Sequence, residues 1–228
     1  MSTKKCSKPG GSPSDSGFTL VEILAVMAIL IMFMALVVPA VSGIFSGRSL
    51  DDAGNRLADI ANLARESSLA RNALTALIVV TDPAIENRYR AVTLMQISPT
   101  DDGSAPSSSN WTQISNWETL RPGVAIDPNA LSCNDSSDPP SSPGTPTPPF
   151  PALTYAGTRL GAYKYIVFLP GGGLLSGSSA RLRVTEGIFP AKSASFLYTH
   201  PARNGTGAAN YYDIILLAAT GKSRIDRP

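Results

Sequence analysis

The amino-acid sequence predicts an α+β fold, in which one long N-terminal helix packs through its second half on an antiparallel β-sheet. Three observations carry that prediction. No charged side chain occurs from Ile23 to Gly47, a run long enough for an apolar helix. Beyond it Leu50, Ala53, Leu57, Ile60, Ala61 and Ala64 recur at helical spacing, while Asp51, Asp52, Asn55, Arg56, Asp59, Asn62 and Arg65 fall on the other face. After Asn72 the period changes, and short runs rich in β-branched and aliphatic residues follow one another to the C-terminus.

The helix opens in the stretch Gly17 to Val41, GFTLVEILAVMAILIMFMALVVPAV. About 20 apolar residues, each rising about 1.5 Å, span a hydrocarbon core of about 30 Å, so the run predicts a transmembrane helix. Glu22 is the exception within it. A carboxylate at the edge of such a helix costs roughly 2.5–3.5 kcal/mol on insertion scales and calls for a partner or a proton. Either Glu22 is a site, or it marks where the span begins in the headgroup region. Pro39 removes one backbone hydrogen bond and Gly43 and Gly47 are poor helix formers, so a kink or a local melt is expected between Ala35 and Gly47. Further on, Asp52 and Arg56 stand four residues apart with the favourable polarity for an ion pair on the exposed face.

Gly17, Phe18, Thr19, Leu20, Val21 and Glu22, preceded by Lys4, Lys5 and Lys8 and followed by the uninterrupted apolar helix, resemble the class III signal of type IV prepilins and type II secretion pseudopilins. The resemblance implies cleavage after Gly17 by a prepilin peptidase on the cytoplasmic side, N-methylation of Phe18, and a role for Glu22 in packing subunits into a filament. Cleavage would free an amine on Phe18, about one helical turn from Glu22, near enough for the charges to meet within one chain or between neighbours. Other pilin-like subunits and an inner-membrane assembly platform are the further partners implied. Residues 1–17 would then be a leader, 18–47 a transmembrane and assembly helix, and 48–228 a periplasmic globular domain. Lysines in the leader agree with a cytoplasmic N-terminus.

Later segments extend the likeness. The order of hydrophobic strand, Pro-Gly turn, strand and a final strand ending at Gly221 to Arg224 is similar to minor pseudopilins of the GspH and FimT type. The runs LADIANLARESSLARNALTA, WTQISNWETL and FLPGGGLLSG are similar to the Verru_Chthon cassette protein D family of pilin-like proteins. An ordinary secretory signal peptide cut after Ser42 is the rival for the N-terminus, but the apolar region is longer than the usual 7–15 residues or so and has Glu22 at its entrance.

In the globular part, residues 74–80 and 89–97 read as a hairpin, and 111–120 places Trp111, Ile114, Trp117 and Leu120 at intervals of three, as a short helix or an irregular cover would. A short strand is expected from Gly123 to Asp127. Pro128 to Pro151 holds eight prolines and reads as a polar surface loop, too stiff to pack. Residues 162–169 form the strongest strand signal, turned by Pro170 and Gly171 to Gly173 into the alternating strand 180–186. A polar loop from Pro190 to Asn210 precedes the last strand, 211–221.

Composition narrows the function. The chain has 228 residues, is 43% hydrophobic and carries a net charge of +2; without its leader it would hold 16 basic and 16 acidic side chains, so no polyanion-binding surface is expected and nucleic acid is not a partner. With Cys6 in the leader, Cys133 would be the one thiol of a mature chain. His200 is the only histidine and is read as a loop residue without a role, which removes a two-histidine zinc site. Gly221, Lys222 and Ser223 mimic the end of a P-loop, but Leu216 stands where its first glycine belongs. Asp127, Asn129, Asp135 and Asp138 could offer oxygens to calcium, though solvated turn acids describe them better. The sequence thus points to no enzyme, no cofactor and no metal. A pilin-like structural subunit is the expected function, and a membrane-anchored periplasmic binding or sensor domain that never polymerises is the alternative.

Overall fold

A helix of 52 residues, α1 (Leu20–Arg71), precedes every strand of the computed structural model. Residues 19–97, 111–135, 153–190, 195–203, 205 and 207–227 are described, with the backbone alone at 35–47, 134 and 135. The chain divides into two compact units, Met1–Ile44 and Phe45–Pro228. Helical backbone continues through Pro39, Gly43 and Gly47, so the local melt expected there does not occur. A proline deletes one hydrogen bond and leaves the flanking turns intact.

The helix is closed by chemistry the residues supply. Asn72 adopts a left-handed conformation (φ 49°), and the amides of Asn72 and Ala73 donate to the carbonyls of Leu69 and Ser68. That is a Schellman ending, with asparagine taking the position usually held by glycine.

The second unit contains two main sheets. In the first, β1 (Thr75–Val80), β2 (Ala91–Ile97), β3 (Trp111–Gln113), β4 (Glu118–Thr119), β6 (Asn134–Asp135) and β9 (Tyr163–Phe168) are antiparallel in the order β3-β2-β1-β9-β6, with β4 also on β2. Leu77 pairs with Leu94 on one side and Ile166 on the other. The second sheet runs β11-β10-β12-β13, from β10 (Ala180–Ile188), β11 (Leu197–Tyr198), β12 (Tyr211–Leu216) and β13 (Ser223–Asp226), with β5 (Val124–Ile126) also paired to β10. A small hairpin joins β7 (Thr154–Tyr155) to β8 (Thr158–Arg159).

Burial explains the two kinds of strand sequence. Every residue of β1 and β2 is buried, because one face of the first sheet turns Leu77, Val79, Val92, Leu94, Ile166 and Phe168 into the core with the helix. The other face packs Ile78, Val80, Met95, Tyr165 and Val167 with Trp111, Leu153 and Leu160. Strands covered on both faces read as continuous apolar runs. In the second sheet the first half of β10 alternates buried Ala180, Leu182 and Val184 with the more exposed Arg181 and Arg183.

That difference overturns one expectation. Strands β9 and β10 do not form a hairpin; they belong to separate sheets. The Pro170 to Gly173 turn instead folds Leu174 and Leu175 back onto β9, with Leu169 donating to the Gly173 carbonyl and Leu175 to that of Val167. A second correction concerns residues 111–120, which form β3 and β4 and no helix. Between them Ser115 bulges out, its Oγ accepting from the Leu94 amide (2.8 Å).

Leu50, Ala53, Leu57, Ile60, Ala61 and Ala64 are all buried, as the helical spacing predicted. The expected Asp52–Arg56 pair is replaced by cross-element ones: Arg56 Nη2 lies 2.8 Å from Glu118 Oε1, and Asp52 Oδ2 lies 3.2 Å from Arg121 Nε. On the other sheet, Tyr212 donates to Asp51 (2.6 Å), Ser223 to Asn62 (2.8 Å) and Arg65 to the Thr220 carbonyl (2.6 Å). The helix therefore ties both sheets together.

At Gly54 the helix comes close to strand β12. A Cβ added there would meet the Tyr212 ring at 2.6 Å. Substitution by alanine adds intrinsic helix preference of about 1 kcal/mol but overpacks a close contact, which costs about 1–3 kcal/mol. Gly54→Ala is therefore expected to lower the melting temperature, and a rise in a thermal melt would show that Tyr212 moves aside freely.

Asp82 ends β1 as a buried carboxylate. Burial pushes its pKa up, but the backbone amides of Ala84, Gly161 and Ala162 outweigh burial and hold it below the usual carboxylate range. A carboxyl with a depressed folded pKa stabilises fully above its unfolded value of about 3.9, and that contribution fades as pH falls through the lower folded value. The parent should thus lose more stability than Asp82→Asn between about pH 5 and pH 2 in denaturant melts. Parallel curves would remove Asp82 as a source of acid sensitivity.

Candidate assembly and processing site

Thr19 caps α1. Its backbone carbonyl accepts from the amides of Glu22 (3.1 Å) and Ile23 (3.2 Å), and its Oγ1 accepts from the Glu22 amide at 3.2 Å. Thr19 is thus the N-cap and Glu22 the third helical residue, the arrangement in which Thr-x-x-Glu closes a helix start. A carboxylate in the first turn also faces the positive end of the helix dipole. This signature is legible in the sequence as threonine followed three residues later by glutamate before an apolar run, and it gives Glu22 a local role beyond those of site or boundary.

From Leu20 to Met34 every large apolar side chain is half exposed or more, from Leu30 at 50% to Leu20 at 79%. Burying such side chains is worth roughly 1.5–3 kcal/mol each, so twelve of them left open call for another apolar medium or surface. Among the described residues no helix is long and apolar enough to cross a membrane. The charge-free run of the sequence continues past Met34 into residues 35–47, whose side chains lie outside the description.

Gly17 and Phe18 lie outside the described residues. Glu22 is exposed in the first turn, and Pro39 stands within α1. Among the described residues no ion pair includes Glu22, and no group of three or more His, Cys, Asp or Glu could hold a metal. Asp127 Oδ1 is engaged otherwise, accepting from the Tyr198 hydroxyl (2.9 Å) and the Asn129 amide (2.9 Å). Asp138 is outside the described residues.

His200 does have a structural role, against expectation. Its Nδ1 lies 2.7 Å from Oε2 of Glu186, a carboxylate almost fully buried on β10. A buried carboxyl group needs a hydrogen-bond partner, and nothing in the sequence linked two residues on different elements. Trp111 is buried, and Trp117, partly buried against the same cluster, donates from Nε1 to the Thr154 carbonyl (2.9 Å). Gly221 to Ser223 form the turn into β13, with no helix following. Cys133 is half-buried at the edge of the main core.

Residues 13–38 match the family model described as the prokaryotic N-terminal methylation motif. The chain carries that motif. It spans the cap, Glu22 and the exposed apolar turns. Among solved structures the chain is similar to the type IV minor pilin FimU of Pseudomonas aeruginosa, with 10% identity over 81% of this chain and 92% of that one and a TM-score of 0.39. It is also similar to the minor pseudopilin EpsH from the type 2 secretion system of Vibrio cholerae, with 12% identity over 79% and 98% of the two chains and a TM-score of 0.42. Likeness at this level carries neither function nor partners to this chain. No curated protein matches it.

The cap itself is testable. Thr19→Val keeps the side-chain shape and removes the acceptor, and loss of an N-cap costs about 1 kcal/mol, or roughly a fivefold change in a local opening equilibrium. Hydrogen exchange of the Glu22 amide, followed by NMR in micelles, should speed up by about that factor in the variant. Unchanged exchange would mean that the carbonyl of Thr19 alone holds the turn.

Proposed function

We propose that this chain is a pilin-like structural subunit of the minor pseudopilin type, similar in several sequence runs to the Verru_Chthon cassette protein D family. The observation that carries the proposal is the coincidence, within residues 13–38, of the methylation motif with a capped helix start bearing Glu22 and with open apolar turns. A prepilin peptidase cleaves after Gly17 and Phe18 is N-methylated. Residues 18–47 anchor the subunit in the inner membrane, the leader lies in the cytoplasm, and residues 48–228 form the periplasmic domain. Other pilin-like subunits and an inner-membrane platform then draw it into a filament or a filament tip of a type IV pilus or type II secretion-like system.

Chemistry gives each residue a task. Glycine before the cut presents no side chain to the peptidase. The new amine on Phe18 is one turn from Glu22, and in low dielectric a cation beside that carboxylate lowers the cost of both charges. An intermolecular pair of this kind fixes the axial register of neighbouring helices. Cleavage leaves Thr19 in place, so the cap and the first turn survive maturation. Pro39 offers a site where the helix can kink without losing its flanking turns. The role is mechanical and no catalytic group is assigned.

Two substitutions separate processing from assembly. Gly17→Val should leave the leader attached, which mass spectrometry of the N-terminus reads directly; normal maturation would count against the prepilin reading. Glu22→Gln should mature normally yet appear mainly in membranes when filaments are sheared and fractionated, since stranding one partner of a desolvated pair costs about 3–5 kcal/mol. Equal incorporation of parent and Glu22→Gln would return the non-polymerising membrane anchor to the front.

A further inference from the structure

Two faces of the second unit carry charges of opposite sign, each around one apolar side chain. On α1, Asp59, Leu63 and Glu66 are exposed, Leu63 at 52%. Spacings of four and three residues put them on one side of the helix, with the two acids about 10 Å apart along its axis. Among the described residues neither acid takes part in an ion pair. Arg56, which feels the charge of Asp59, is bonded instead to Glu118 at 2.8 Å.

The opposite face is on the second sheet. Arg181, Ile215 and Arg224 stand in register on β10, β12 and β13. Their neighbours Leu182, Ile214 and Leu216 belong to the core shared with α1, and side chains alternate along a strand, so this row points away from the helix. Strands about 4.8 Å apart put the two arginines about 10 Å from each other, on either side of a half-buried isoleucine. Both guanidiniums are open, at 49% and 63%, and neither is committed: Arg181 Nε lies 3.9 Å from Asp213, whose two oxygens Arg183 already holds, and Arg224 bonds only Asp226, two residues on and itself exposed. Beside Ile215 a cavity of about 340 Å³ opens between Leu131, Ser132, Ser179 and Arg181.

We propose that these two faces meet between copies of this chain, Leu63 of one copy seating beside Ile215 of the next while Asp59 and Glu66 face Arg181 and Arg224. The carboxylates and guanidiniums match in sign and in spacing, with an apolar residue between each pair. Within one chain they cannot meet, because α1 lies on the inner side of the sheet whose outer side bears the arginines. The contact is therefore head-to-tail, and each copy keeps one face of each kind for a further neighbour. The spacing matches when the partner's helix lies across strands β10, β12 and β13. Exposed charge pairs select and orient a partner more than they hold it, and the apolar centre supplies the remainder. The contact uses no residue of the N-terminal motif and goes beyond the assembly role proposed for Glu22.

The test is disulfide trapping of full chains in detergent micelles, in a background of Cys6→Ser and Cys133→Ser. Chains with Leu63→Cys are mixed with differently tagged chains carrying Ile215→Cys, oxidised, and run on non-reducing gels. The mixed dimer should exceed either like-with-like dimer roughly tenfold. Asp59→Arg with Glu66→Arg on the first chain should remove that excess, and Arg181→Glu with Arg224→Glu on the second should restore it, with melting temperatures showing that each variant is folded. Should a charge reversal unfold its chain, Asp59→Asn with Glu66→Gln takes its place and should lower the mixed dimer severalfold. A mixed dimer no more abundant than the like-with-like ones overturns the proposal, as do yields that ignore the charge changes or fail to recover in the doubly reversed pair. No step depends on cleavage after Gly17, so such a result leaves the filament proposal standing, and failed processing leaves this contact standing.

Discussion

The globular unit depends on a narrow apolar stripe. Leu50, Ala53, Leu57, Ala61 and Ala64 sit between two sheets that are not hydrogen-bonded to each other through β9 and β10. Small residues matter here as much as large ones. Three alanines and Gly54 let strands approach the helix closely, and the Tyr212 ring takes the space that a side chain at 54 would fill. The helix is thus the common wall of the core, and its polar flank fastens each sheet separately, through Glu118 and Arg121 on one side and Tyr212, Thr220 and Ser223 on the other.

Among the described residues, buried polar side-chain groups of this unit other than Arg90 Nε follow the rule that burial requires a partner. Gln96 is buried and bonds Arg71, Ser67 and Thr75. Arg183 grips Asp213 through two hydrogen bonds of 2.7 and 2.8 Å and stacks 3.7 Å from the Tyr211 ring. The bond to Asp213 first, and the nearby charges after it, push the Arg183 pKa up against the opposing effect of burial. Each pairing joins elements far apart in the chain, and together they fix one register where the apolar contacts alone would tolerate several.

The N-terminal unit obeys the opposite logic. Its large apolar side chains from Leu20 to Met34 are half exposed or more among the described residues. What it does specify is a beginning: a threonine that takes up the first free amides and a carboxylate in the first turn. The sharply capped start thus stands in front of turns whose large apolar side chains are open among the described residues.

Local sequence determined the helix, the strand segments of β1, β2, β5, β9, β10 and β12, the apolar stripe and the motif around Gly17 to Glu22, because each depends on periodicity or on residues within a few positions of one another. Tertiary structure alone decided which strands share a sheet. Strand β9 is buried along nearly its whole length and β10 alternates in its first half, and that difference depends on what lies above each strand, which no local window contains. The same holds for Arg56 choosing Glu118 over Asp52, and for His200 meeting Glu186: ion pairs are set by distance in space, and the chain records only distance along itself.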